Sequence, residues 1–591
     1  MQPPIGDYAL IGDTRAAALC SASGSIDWLC LPRMDSDPVF GRLVGGPGAG
    51  HFSISPAGVR EVRRRYRPDS AILETTWTTD GGEVLLTEGM VLDVSSSLMP
   101  QMALVRRVEA RGRGATVRVE FDPRLGLPGS APRVRRAGGE MVCTWGSLAL
   151  SLGASSGVLV EPGTSVEVAL ESKPVTFVLG MADRQPLVFL DPDEAWRQLE
   201  ACDEWWREWC GGAGHEGAFH EPVMRSLITM RLLTYSPSGA PVAAPTTSLP
   251  EVLGGDRNWD YRLSWPRDAG MGISAFLATG RRREAEAYLH WLDHASRLSR
   301  PRLAPLYTLD GRPDRGEREV EGVPGYANSL PVRVGNAASG QVQHDVYGWV
   351  LDAACAMAQD PPGLERGIWR SIAPFADHVA ERWAEPDSGI WERRGPPSHH
   401  VHSKVWAWLA LDRALSIARL RPVAARRARR WAAAREALAA DVRDRGYDAA
   451  RRTYVREYGR PELDAALLLV AGTGFEPPGS ERMAGTVDAI RRELGAGGPL
   501  LYRHAPDDGD DGPREGAFVA CSFWLAQAQA HLGRQDEAAA QMEQTCRLAN
   551  DVGLFAEELD PATGAHLGNF PQVLSHSSLV QAAVTVERYL G

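Results

Sequence analysis

The chain has 591 residues and lacks the marks of several large protein classes. Its cysteines, Cys20, Cys30, Cys143, Cys202, Cys210, Cys355, Cys521 and Cys546, form no Cys-x-x-Cys pair, so they read as reduced thiols rather than a disulfide framework or zinc site. No apolar run approaches the roughly 20 residues needed to span a bilayer. The opening Met-Gln-Pro-Pro-Ile-Gly-Asp-Tyr lacks the basic-then-apolar order of a secretory leader. These features lead to the expectation of a cytoplasmic protein without a membrane partner. Positive charge is in deficit, with 64 basic against 75 acidic residues and a net charge of −11, which argues against a nucleic-acid partner. No His/Asp/Glu cluster has the spacing of a metal site, so no metal or cofactor is expected to be required for the chemistry, and activation by phosphate or magnesium is left open. No repeat of fixed period marks a solenoid. Self-association is left open.

What is present is an ordinary globular composition, 44% hydrophobic and 24% charged, in a chain longer than one common domain. Up to about residue 190 the pattern is strand-like: Ala115–Phe121 alternates, and Met141–Ser151 and Val175–Gly180 are short apolar runs between Gly and Pro breaks. Such punctuation suits an antiparallel sandwich. From Pro192 to Cys210 the spacing turns helical with an acidic start, and Gly211-Gly212 ends it. Helical patterns then recur over Arg283–Leu298, Asp345–Met357, Arg366–Ala384, Ser403–Leu420, Ala425–Val442, Ala517–Leu532, Gln535–Ala549 and Leu574–Leu590. The expected organisation is a β-domain at 1–190, a linking helix at 191–214 and an all-α domain at 215–591. Helices without intervening strands over that length suit a closed toroid of hairpins.

One stretch is chemically dense. Asn258-Trp-Asp-Tyr-Arg-Leu-Ser-Trp-Pro-Arg-Asp268 joins flat aromatic faces to carboxylates and guanidinium groups. Sugars are held by that mixture, rings against C–H faces and charged forks against hydroxyls. An aromatic core segment with a surface ion pair is the plainer alternative. Other unusual polar residues, Gln343 with Asp345, Glu392, Arg503 and Glu557, also fall in loops just ahead of helices. In a barrel of alternating inner and outer helices, loops leading into the inner ones share one end and would form a funnel. Glu392 follows Trp391, whose indole would keep it protonated by excluding water. The alternative is a solvated Glu paired with Arg393 or Arg394.

The dense stretch, with Pro245-Thr-Thr-Ser-Leu-Pro-Glu251 before it, closely resembles glycoside hydrolase family fifteen, the glucoamylases and bacterial trehalase-like enzymes. The opening Ile5–Arg15 and Gly24–Arg33 segments resemble the N-terminal β-domain of the trehalase-like branch. The resemblance implies an N-terminal antiparallel β-sandwich followed by an (α/α)6 barrel. It implies that Glu392, in Gly389-Ile-Trp-Glu with His402-Ser-Lys-Val beyond, is the general acid. Glu557, in Gly553-Leu-Phe-Ala-Glu-Glu-Leu-Asp-Pro, is similar to the general base, with Glu558 as fallback. Arg267 and Asp268 match the pair that grips the first sugar, and Tyr261, Trp265 and Trp391 match pocket aromatics. Arg503, in Leu501-Tyr-Arg-His-Ala-Pro-Asp-Asp508, matches a further sugar-binding Arg; Gln343 and Asp345 are assigned a lining role. Arg393 stands where fungal members often carry a sugar-binding acid. His576 either orients a carboxylate or water, or is a buried structural histidine.

Two such carboxylates imply inversion: one protonates the leaving oxygen and the other activates water on the opposite face, about 6.5–9.5 Å away. The expected activity is exo-acting α-glucoside hydrolysis releasing β-glucose, from α,α-trehalose first and from maltooligosaccharides or α-glucans second. A phosphorylase would need only the acid, and Glu557 argues against it. A non-catalytic sugar binder has no need of both carboxylates. The β-domain is expected to pack on the barrel and shape the pocket rim.

Overall fold

The computed structural model describes residues 2–92, 102–112, 114–171, 173–313, 316–506 and 514–590. The Asp507-Asp508 end of the Arg503 segment lies outside the described residues.

Two antiparallel sheets face each other at the start of the chain. One runs in the order Tyr8–Gly12, Ala17–Ser21, Ser25–Cys30, His51–Pro56, Ala115–Asp122 and Thr164–Leu170, with Pro38–Phe40 paired beside Ser25–Cys30. The other runs Arg133–Ala137, Glu140–Trp145, Leu148–Ala154, Val175–Asp183, Met102–Gly112, Gly82–Met90, Leu73–Thr79 and Val59–Tyr66. Alternation decides which side chains turn inward. Phe52 and Phe121 are register partners on the first sheet with ring centroids 5.5 Å apart, and Phe177 of the second sheet meets Phe52 at 6.5 Å. Arg106 crosses this core, paired with Glu88 at 2.8 Å and donating to Phe52 O and Gly24 O at 2.7 Å each. A single helical turn, α1 (Arg42–Gly45), interrupts the strands.

Helix α2 (Pro192–Gly211) leaves the sandwich with Asp191 as its cap, accepting from the backbone N–H groups of Asp193 and Glu194. The remaining helices are α3 (His220–Leu232), α4 (Pro266–Ala278), α5 (Arg282–Ala295), α6 (Asp345–Gln359), α7 (Arg366–Arg382), α8 (Val401–Leu420) and α9 (Ala425–Arg445). They continue with α10 (Glu481–Leu494), α11 (Val519–His531), α12 (Gln535–Cys546) and α13 (Val573–Leu590). A 3-10 helix, Ala465–Gly472, completes the set.

Their packing closes a ring. Helix α4 touches α6, α6 touches α8, α8 touches the 3-10 helix, that helix touches α11, α11 touches α13, and α13 returns to α4. Outside them α5 packs on α4, α7 on α6, α9 on α8, α10 on the 3-10 helix, α12 on α11 and α3 on α13. This is an (α/α)6 barrel whose fourth inner member is a short 3-10 segment. The inner helices are buried nearly all round: every residue of α4 from Pro266 to Ile273 is buried. Outer helices such as α5 and α10 carry one apolar face, as helices between a core and water must.

Candidate active site

The loops that lead into α4, α6, α8, α11 and α13 line a two-chambered cavity. The outer chamber, of about 680 Å³, is lined by Trp259, Arg257, Gln341, Arg393, Arg394 and their neighbours. The inner chamber is lined by Trp265, Arg267, Asp268, Phe518, Glu557 and Gln572, among others. Tyr261, Trp391, Glu392 and Arg503 line both. Glu392 therefore stands at the neck where the chambers meet, and Glu557 in the inner chamber.

The Asn258–Asp268 stretch holds both carboxylates. Tyr261 Oη donates to Glu557 Oε1 at 2.6 Å, and four residues later Trp265 Nε1 donates to Glu392 Oε1 at 2.6 Å. The two rings meet edge to face at 5.6 Å, so the carboxylates are tied to one rigid aromatic pair. Arg267 donates to Asp268 Oδ1 at 3.2 Å, to Ile390 O at 2.9 Å and to Glu392 Oε1 at 3.5 Å. Burial pushes the Asp268 carboxyl above its usual range although Arg267 opposes it.

Glu557 is 1% exposed, and burial followed by the charge of Glu251 pushes it up to about 8. Its Oε2 is buried and finds no hydrogen-bond partner among the described residues. Gly568, at φ +71°, lets the backbone pass close by; a Cβ there would lie 2.5 Å from Oε2. Glu558 points elsewhere. It is fully buried, its Oε2 accepts from Gly516 N at 2.9 Å, and burial raises it well above the usual range. Neither chamber is lined by it.

Arg503 joins the inner chamber to a buried acidic cluster. It donates to Glu251 Oε2 and to both oxygens of Glu515 at 2.6 Å, while its guanidinium lies 5.7 Å from the rings of Trp391 and Phe518. Against its burial, Glu515 is held down to about 2 by Arg503. Arg257 donates to Glu515 as well. Oxygens of Glu251, Glu515 and Glu558 come within 4.8 Å of one another, which is ligand spacing for a metal ion. The Arg503 guanidinium already supplies a cation to two of the three.

Several sequence expectations are refined. Arg393 and Arg394 do not pair with Glu392: Arg393 donates to Glu457 at 2.6 Å and Arg394 to Glu317 at 3.1 Å. The indole N–H of Trp391 serves Asp464, at 2.9 Å to each oxygen, and Trp265 is the indole on Glu392. Gln343 and Asp345, assigned a lining role, lie behind the cavity wall, 2% and 0% exposed: Asp345 is the first residue of α6 and Gln343 stands just ahead of its cap, His344. Gln343 still reaches Glu392 Oε1 at 3.3 Å. His576 touches neither carboxylate. Its Nε2 accepts from Phe555 N at 3.3 Å, its Nδ1 meets Ser226 Oγ at 2.9 Å, and burial holds it down to about 3, so it is a neutral prop for the Glu557 loop. Sequence reasoning missed Gln341, Asp464 and Glu515. All three act on partners distant in the chain, and no local pattern signals that.

Comparison with known proteins bears on the same regions. Glycosyl hydrolases family 15 matches residues 217–584, and the family Trehalase-like, N-terminal matches residues 1–175. A trehalase of Mycolicibacterium smegmatis is 35% identical over 99% of this chain and 92% of its own length. A trehalase of Thermoplasma volcanium is 31% identical over 100% of this chain and 94% of its own. Among solved structures, a bacterial glucoamylase complexed with acarbose superposes with a TM-score of 0.72 over 100% of this chain and 95% of its own, at 13% identity.

Proposed function

Because the chain belongs to glycosyl hydrolases family 15 and is a glycoside hydrolase, we propose that it hydrolyses α,α-trehalose with inversion at the attacked carbon. The observation that carries the reading is the pair of bonds from one stretch, Tyr261 to Glu557 and Trp265 to Glu392, in one continuous pocket lining. Likeness to trehalases along the whole chain, sandwich included, favours trehalose over an α-glucan.

In this reading the first glucose fills the inner chamber against Arg267, Asp268 and Arg503, and the leaving glucose occupies the outer one. Glu392, at the neck, gives its proton to the glycosidic oxygen as the C1–O bond breaks. Water attacks C1 from the opposite face and loses a proton to Glu557. One sugar is freed as β-glucose, and the other keeps its α configuration.

Proton NMR in the first minutes of reaction tests this. Trehalose should yield α- and β-glucose in equal amounts before mutarotation mixes them. Release of α-glucose alone would mean retention and remove the role given to Glu557. Turnover of maltotriose with trehalose untouched would move the substrate to α-glucans while leaving both carboxylates in place.

A further inference from the structure

Of the residues lining the two chambers, Glu392 alone among non-glycine residues has a left-handed backbone, at φ +56°. Such a conformation persists at a functional position only where the surroundings impose it. Gln341 braces this turn, beside its own backbone bonds from Glu392 N to Gly389 O and from Arg393 N to Ser388 O, both at 3.3 Å. Its Nε2 donates to the carbonyl of Glu392 at 2.9 Å and to that of Arg393 at 3.2 Å. Its Oε1 accepts from Gln343 Nε2 at 3.1 Å, and Gln343 Nε2 donates in turn to Glu392 Oε1 at 3.3 Å. Backbone, two amides and carboxylate thus form a closed ring of hydrogen bonds around one residue.

The ring fixes directions as well as positions. Turning the Gln341 amide over would set its oxygen against two carbonyls, and turning Gln343 over would set its oxygen against Glu392 Oε1 and Gln341 Oε1. Gln343 Oε1, in the orientation that remains, has no hydrogen-bond partner among the described residues. Glu392 Oε1 receives N–H donors from Trp265 at 2.6 Å, Gln343 at 3.3 Å and Arg267 at 3.5 Å. An oxygen facing three donors cannot point a proton of its own toward them.

We propose that Gln341 and Gln343 are positioning residues for the proton donor: Gln341 holds the left-handed turn at Glu392, and Gln343, with Trp265 and Arg267, occupies Oε1 so that the transferred proton sits on Oε2. The proposal rests on Glu392 being the acid. When the Oε2–H bond breaks, the proton joins the glycosidic oxygen, which takes the electron pair of the broken C1–O bond. Negative charge then develops on the carboxylate, and the donors on Oε1 are already aligned to stabilise it.

A leaving group that needs little protonation separates positioning of the acid from general support of the fold. Gln341→Met and Gln343→Met are compared with the intact enzyme on α,α-trehalose and on α-glucosyl fluoride, whose fluoride departs without a full proton transfer. The expected result is a fall in kcat on trehalose on the order of 10²-fold, little change in KM, and a much smaller fall on the fluoride. Glu392→Gln should show the same split, larger. Equal losses on both substrates by variants that keep the wild-type unfolding transition, or no loss on either, would overturn the proposal. Where a Met variant lacks that transition, the Leu variant at the same position takes its place. If Glu392→Gln shows no split, the acid assignment fails first; if it splits and the glutamine variants do not, the positioning role alone is lost.

Discussion

At Glu557 the surroundings oppose the charge that a base must carry. The carboxyl is sealed from water, and Glu251, tied to Arg503 at 2.6 Å, adds a like charge nearby. Tyr261 and Arg503 pull the other way, but the balance leaves it at about 8. A carboxyl raised in the folded state keeps a proton that the unfolded chain has released. Between the ordinary carboxylate range and about pH 8 the unfolded state therefore binds fewer protons, and this group's contribution to stability falls as pH rises through that window. Activity runs the opposite way, because water activation needs the ionised form. The acid limb of kcat/KM should lie well above the usual carboxylate range. In Glu251→Gln the repelling charge is gone and Arg503 has one anion fewer, so the limb should move to lower pH. A pH profile of kcat/KM on both proteins checks this; an unmoved limb would mean that Glu251 does not set the proton affinity of the base.

The inner helices approach one another through glycines. A Cβ on Gly348 in α6 would lie 2.5 Å from Trp406 O in α8, and one on Gly270 in α4 would lie 2.9 Å from Trp349 O in α6. Trp349 and Trp406 pack at 4.8 Å beside this crossing. Gly348→Ala must push α6 and α8 apart, at a cost of about 1–3 kcal/mol for an overpacked core. Denaturant unfolding would register it as a lower midpoint, and an unchanged midpoint would show that the helices can yield there. The same closeness explains what was legible in the sequence. Outer helices α5 and α9, with one wet face, announce themselves by period. Helix α4 does not, because it is buried all round and interrupted by Gly270 and Gly272, and the 3-10 segment Ala465–Gly472 reads as a bare apolar run. Helix α10 was missed although Ser480 caps it and Met483, Val487, Ile490 and Leu494 share a face. At the site, the motif residues Glu392, Glu557, Arg267 and Arg503 stand out locally. Gln341 carries no local sign; its importance comes from carbonyls fifty residues away that only the closed ring of helices brings to it.

On the scale of the whole molecule, the sandwich fastens the catalytic loops from behind. Among the described residues, every one lining the two chambers lies at position 243 or later, so none of the described β-domain residues forms the pocket rim that the sequence suggested. It grips the stretches that do. The Trp28 indole donates to Pro245 O at 2.7 Å, and Arg262, paired with Asp260, donates to Ser36 O at 2.9 Å. At the other carboxylate, Asn550 donates to Gly6 O at 3.0 Å and Tyr8 O at 2.9 Å, just ahead of the loop carrying Glu557. Arg64 reaches Asp551 beside it. Trp28→Phe keeps an aromatic ring but removes the indole N–H and orphans the buried Pro245 carbonyl, a loss of about 1–3 kcal/mol. Since Pro245 leads into the segment that sets Tyr261 and Trp265, kcat should fall more than KM changes. A chain begun at residue 215 loses all these anchors and exposes the apolar face of α3, so it should unfold at a lower temperature and turn over more slowly. A barrel that matched the intact chain in unfolding midpoint and rate would assign the sandwich a task away from the reaction.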